Sequence, residues 1–166
     1  GAAPGPLLLE FTRRQRSIET GSLISLTDFR QQRVRVIQEA SCQIAYGRIG
    51  TLTLQIPEGF DALFTNEAIQ AGNRFPDVGL QFRLADGTAL EAEVEDGMLR
   101  LVFDEARTGE FQVVVDYLLP VPVRESEEDM VLDIPVLTPL DSVEHETILQ
   151  VTDGDLARLS RHIIAA

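Results

Sequence analysis

Val78 to Pro120 reads VGLQFRLADGTALEAEVEDGMLRLVFDEARTGEFQVVVDYLLP, and its alternation decides the fold class. Val78, Leu80, Phe82 and Leu84 fall on one side of an extended chain while Gly79, Gln81 and Arg83 fall on the other, the period of two of a half-buried strand. Leu90, Ala92 and Val94 alternate in the same way with Glu91, Glu93 and Glu95, and three carboxylates on one face require water there. Asp86-Gly87 and Asp96-Gly97 each suit a two-residue hairpin turn, whose central residues need positive φ. A third strand then has Leu99, Leu101 and Phe103 inward. A fourth has Phe111, Val113, Val115, Tyr117 and Leu119 inward, after a looser connection from Asp104 to Gly109. Pro120 and Pro122 end the ladder, because proline donates no hydrogen bond to it.

A sheet with one apolar face needs a second layer, since each Å² of apolar surface left wet costs about 25 cal/mol. The remaining chain offers further strands. Leu7, Leu9 and Phe11 alternate near the start, and Ile18 to Phe29 alternates less regularly. From Arg33 to Tyr46 the even positions Val34, Val36, Cys42, Ile44 and Tyr46 are apolar, interrupted by Gln38, which suggests a bend or bulge over Gln38–Ala40. Gly47–Gly50 is expected to turn the chain into a hairpin with Leu52, Leu54 and Ile56. Asp61 is the expected cap of a short helix from Ala62 to Ala71 ended by Gly72, and Phe60, Phe64 and Phe75 are expected to plug one end of the core. Met130 to Leu137 reads as an edge strand. Val143, His145, Thr147, Leu149 and Val151 form the inward side of another strand. A closing helix, capped by Asp153 or Asp155, would bring Leu156, Leu159 and Ile163 together. The expected fold is all-β, an antiparallel β-sandwich of Ig-like, Greek-key type with one or two short helices. It is read as a single domain over 1–166, with 123–166 a candidate linker and start of a following module.

Composition narrows the function. The 166 residues carry a formal charge of −13, and all 14 basic residues are arginine. Such a surface repels polyanions, so nucleic acid is not an expected partner despite the clusters Arg13, Arg14, Arg16 and Arg30, Arg33, Arg35. The lone Cys42 has no partner for a disulfide or a zinc site and shares the register of Ile44, as a buried structural thiol would. No apolar run reaches the ~18 residues of a membrane span. The opening GAAPGPLLLE lacks the basic region and long apolar core of a signal peptide; the chain is expected to be cut from a longer protein, or to be cytoplasmic if complete as it stands.

Catalytic patterns are missing. There is no Gly-x-Ser-x-Gly elbow, no glycine-rich phosphate loop and no His-Glu-x-x-His, since His145-Glu146 leads into Thr147, Ile148 and Leu149. Two histidines, His145 and His162, exclude a histidine-rich metal site. No catalytic or cofactor-binding residue is therefore assigned. Clustered oxygens at Glu125, Glu127, Glu128 and Asp129, or at Asp153 and Asp155, are candidate calcium ligands because hard cations favour them, although neither stretch has the spacing of a dedicated loop. Sugar binding would need exposed rings, and the two tyrosines, Tyr46 and Tyr117, both fall in register with inward residues. A partner strand would find its backbone groups at the Met130–Leu137 edge, where Pro135 also acts as protection.

The run from Ile44 to Pro122, with QIAYGRIGTLTLQIP, then LADGTALEAEVEDGMLRLVF, then TGEFQVVVDYLLPVP, resembles β-sandwich modules of large uncharacterised planctomycete-type bacterial envelope proteins. The resemblance covers about half the chain and rests on pattern. It implies an extracytoplasmic location, in the periplasm or cell envelope, and a non-enzymatic structural or protein-interaction role within a larger protein. The alternative is a glycan- or calcium-binding module.

Overall fold

The computed structural model describes residues 5, 15–30, 32–75, 79–121, 132–151 and 162–164. Among these the chain forms β1 (Ser17–Arg30), β2 (Arg33–Gln55), α1 (Asn66–Arg74), β3 (Gln81–Leu84), β4 (Glu91–Glu95), β5 (Met98–Pro120), β6 (Thr138–Pro139), β7 (Val143–Val151) and β8 (His162–Ile164). All belong to one mixed sheet of order β3-β5-β2-β1-β7-β8, with β4 also on β5 and β6 also on β2.

Two long strands hold this sheet together. The first part of β2 pairs with the last part of β5, from Arg33 opposite Pro120 to Ile44 opposite Gly109, and the second part pairs with the start of β5, from Thr51 opposite Val102 to Gln55 opposite Met98. Neither the expected hairpin at Gly47–Gly50 nor the looser connection expected at Asp104–Gly109 forms. At both places the strand runs on through a bulge in which the register shifts between Ile44 and Thr51. Within it Ile49 stays paired with Arg107, which carries β2 and β5 on from one run of pairs to the next.

The bulge folds the sheet back on itself. Gln38 bonds to Leu137, while Thr138 and Pro139 pair with Gln55 and Leu54. A straight β2 would separate Gln38 from Leu54 by roughly 53 Å, yet the chain between Leu137 and Pro139 spans at most about 7 Å. A six-stranded layer (β3-β5-β2-β1-β7-β8) and a four-stranded layer (β4-β5-β2-β6) therefore share one core. Val36, Val115 and Phe82 from the first and Leu52, Leu54 and Leu101 from the second are buried in a single cluster. The all-β expectation holds, but a purely antiparallel arrangement does not: β1 and β7 run parallel.

Local chemistry explains the remaining elements. Asp96 and Gly97 both take positive φ, as the two-residue turn between β4 and β5 requires. At Asp86-Gly87 only Gly87 does, and Leu84 N–H donates to Thr88 O while Gly87 N–H donates to Leu84 O, a three-residue turn instead. The helix starts later than expected. Thr65 Oγ1, not Asp61, accepts from Ala68 N–H, and Gly72 lies inside α1, where a Cβ would come within 1.8 Å of the Leu80 carbonyl oxygen. Phe64 is buried edge-on against Tyr117 with ring centroids 5.2 Å apart. Phe75 is 63% exposed and takes no part in the expected plug. Asn66 closes the outer edge of β4, accepting from Val94 N–H at 2.9 Å and donating to Val94 O at 3.0 Å.

Three more expectations change. No bend occurs at Gln38–Ala40, because Gln38 has its own buried partners. The described residues of the expected Met130–Leu137 strand, 132–137, form no ladder; Pro135 and Leu137 are buried against the core instead. Ile163, expected on a closing helix, lies in β8 opposite Ile148. The expected strand at Leu7 to Phe11 and the helical residues Leu156 and Leu159 fall outside the described residues.

Candidate functional site

Glu125, Glu127, Glu128, Asp129, Asp153 and Asp155 lie outside the described residues, as do Met130 and Val131 of the expected contact edge. Among the described residues no group of three or more His, Cys, Asp or Glu side chains could hold a metal ion. Cys42 is buried on the inner face, and loss of water raises its thiol pKa to about 11. Tyr117 is inward as expected. Tyr46 is not: it takes a φ of 59° at the β2 bulge and is 58% exposed. The extra residues of the bulge rotate it out of register.

The outer face of the six-stranded layer is an ordered array of side chains. Register places its side chains in rows. In one row Ile148, Leu23, Glu39, Val114 and Arg83 lie side by side across five strands, and in the next are Ser25, Ile37, Asp116 and Gln81. Leu118 follows beside Arg35. These apolar side chains point away from the shared core and form a stripe over the middle of the face. Leu23, Ile37, Leu118 and Ile148 are only partly covered.

The two ends of the stripe carry opposite charge. At one end Asp116, only 7% exposed in its side chain, is held by two arginines. Arg35 donates to it through Nε at 2.9 Å and through Nη2, and Arg83 Nη1 donates at 3.1 Å. Both arginines sit diagonally across from Asp116 on the neighbouring strands, within reach of their long stems. With Arg33 exposed in line with Arg35 on β2, this end is net positive. At the other end Glu19, Gln43 and Glu110 share one row, and Glu146 lies opposite Gly21.

Between those acids is a trough of about 580 Å³. Its floor is Gly21 and Ser41, paired across β1 and β2, and its walls are Glu19, Glu110, Glu146, Gln43 and Gln112. Short side chains among long ones create the hollow. Its rim offers carboxylates and carboxamides, suited to guanidinium, ammonium or hydroxyl groups.

Sequence reading passes over this face because strict alternation assigns every second position of each strand to water. The available signal is where alternation fails: Val113-Val114-Val115, Leu118-Leu119 and Val36-Ile37 put apolar residues on both faces. No protein-family model matches the chain, and a search of curated proteins finds no match.

Proposed function

We propose that this chain is a non-enzymatic protein-interaction module of a larger extracytoplasmic bacterial protein, docking through the outer face of its six-stranded layer. The observation that carries the reading is the half-covered stripe Leu23, Ile37, Leu118 and Ile148 on that face. A sheet face meant only for water would be polar throughout, as on β4, where Glu91, Glu93 and Glu95 are all exposed. An apolar stripe broken by Glu39, with charged ends, fits a contact surface with a polar rim. Two layers about a shared core support a sandwich-like module, and the resemblance of Ile44 to Pro122 to envelope modules supports the location.

A photo-crosslinking amino acid placed at Leu23 in the native host tests the docking reading, with Glu91 as the control position. Adducts to protein from Leu23 and few or none from Glu91 are expected. Equal labelling from both positions, or none from Leu23, would overturn it.

A glycan-binding reading draws on exposed Tyr46, three residues beyond Gln43 of the trough wall and thus roughly 10 Å along β2. Binding to a glycan array that is lost in Tyr46→Ala would favour it; no binding by the intact protein would remove it.

A further inference from the structure

We infer that the occupant of the outer face is a second copy of this chain, docked face to face about a two-fold axis that lies in the interface and crosses the strands. The inference rests on the interaction reading above and names its partner.

Charge order along β2 selects that axis. Arg33 and Arg35 lie at one end of the face, and Gln43 lies at the other between Glu19 and Glu110. A two-fold axis parallel to the strands would stack acid on acid. An axis across the strands reverses their direction, so that each charged end meets its opposite.

With the axis over the Gln38 row, reversal sets Arg33 above the partner's Gln43, flanked by the partner's Glu19 and the partner's Glu110. Arg35 comes to lie above the partner's Ser41, over the hollow floored by Gly21 and Ser41. Long guanidinium stems thus fall where side chains are shortest, and at the axis the two central rows exchange, Leu23 over the partner's Ser25 and Ile37 over the partner's Glu39. Four full strands give a face about 20 Å wide and about 33 Å long, roughly 660 Å². Stable dimers bury about 800 Å² per partner, so the face alone comes close to what is needed.

Sedimentation equilibrium of the full chain, with and without substitutions, tests the inference. A reversible dimer is expected. Leu23→Arg brings two guanidinium groups together near the axis while Glu39 opposite Leu23 keeps the fold neutralised; it should weaken the dimer at least about 100-fold with an unchanged circular dichroism spectrum. Arg33→Glu and Glu110→Arg should each weaken it about 10-fold, and the double substitution should recover most of that loss. Within one copy these residues are ten positions apart along the strands, roughly 33 Å, beyond the ~10 Å range of exposed charges, so recovery reports contact between copies.

A monomer at all concentrations, or a dimer that survives Leu23→Arg and shows no recovery in the charge swap, would overturn self-docking. If Leu23 still crosslinks to a different protein in that case, the interaction reading stands without it; if it does not, both fall.

Discussion

Gln38 and Leu137 bond to each other as two strands would. Gln38 Nε2 donates to Leu137 O at 2.8 Å, and Leu137 N–H donates to Gln38 Oε1 at 3.1 Å. Gln38 Nε2 also donates to Ser22 Oγ at 3.2 Å, so a carboxamide that is 1% exposed is satisfied on both sides. The bond pins residues 132–139 across the inner face just before they join β6, and so ties the two layers together.

Gln38→Leu should therefore destabilise more than its loss of polarity suggests. It leaves the Leu137 N–H and C=O buried without partners, at about 1–3 kcal/mol for each group. Urea unfolding should show a loss of about 2–6 kcal/mol. A loss under about 0.5 kcal/mol, the scale of an ordinary surface change, would mean the clamp is not formed.

Gly72 packs backbone to backbone. A Cβ there meets Leu80 O at 1.8 Å, and one on Gly79 meets Gly72 Cα at 2.2 Å. Neither neighbour is a flexible side chain, so α1 or the chain entering β3 must move. Gly72→Ala should cost about 3 kcal/mol and lower the melting temperature by roughly 6–12 °C, although alanine is the better helix former. A stabilised variant would contradict the close approach.

Asp116 joins three strands through Arg35 and Arg83. Asp116→Asn keeps the shape but leaves two guanidinium groups facing a neutral amide. Both arginines reach water, with 45% and 29% of their side chains exposed, so the expected loss is held to about 1–2 kcal/mol. Thermal melting measures it. An equal loss from Arg100→Ala, which breaks the exposed pair to Glu93, would show that burial of Asp116 adds nothing.

Cys42 makes stability depend on alkaline pH. Burial pushes its thiol up to about 11, above the ~8.5 of an unfolded chain. The fold holds the neutral form, so this contribution is complete below about pH 8.5 and is lost as the pH rises towards the folded value. Burial raises the Tyr117 phenol as well, but that acts only above about pH 10. Between about pH 8.5 and 10 the stability of the intact protein should fall while Cys42→Ala stays flat. Alkylation of Cys42 at neutral pH should also be at least about 100-fold slower than that of free cysteine. Rapid alkylation in the folded state would contradict the buried placement.

The all-β class and most strand positions were legible because alternation reports burial on one face. Leu80, Phe82, Leu101 and Val113 are buried as their spacing predicts. Connections were less legible. Gly47–Gly50 and Asp104–Gly109 carry turn residues, yet a bulge uses the same residues, and only the pairing of β2 with β5 distinguishes the two. Gln38 looked like a fault in an apolar face because its partner lies 99 residues away. The candidate docking face was hidden for a related reason: Ile37 and Val114 belong to rows built from several strands, and no single stretch displays a row.

Interstrand nuclear Overhauser contacts test the unbroken path of β2 and β5 most directly, since both the shared core and the outer face depend on it. Contacts from Ala40 to Val113 and from Thr53 to Arg100 are expected in the same molecule. Contacts from Ile44 to Leu52, with Gly47–Gly50 closing a local hairpin, would contradict it.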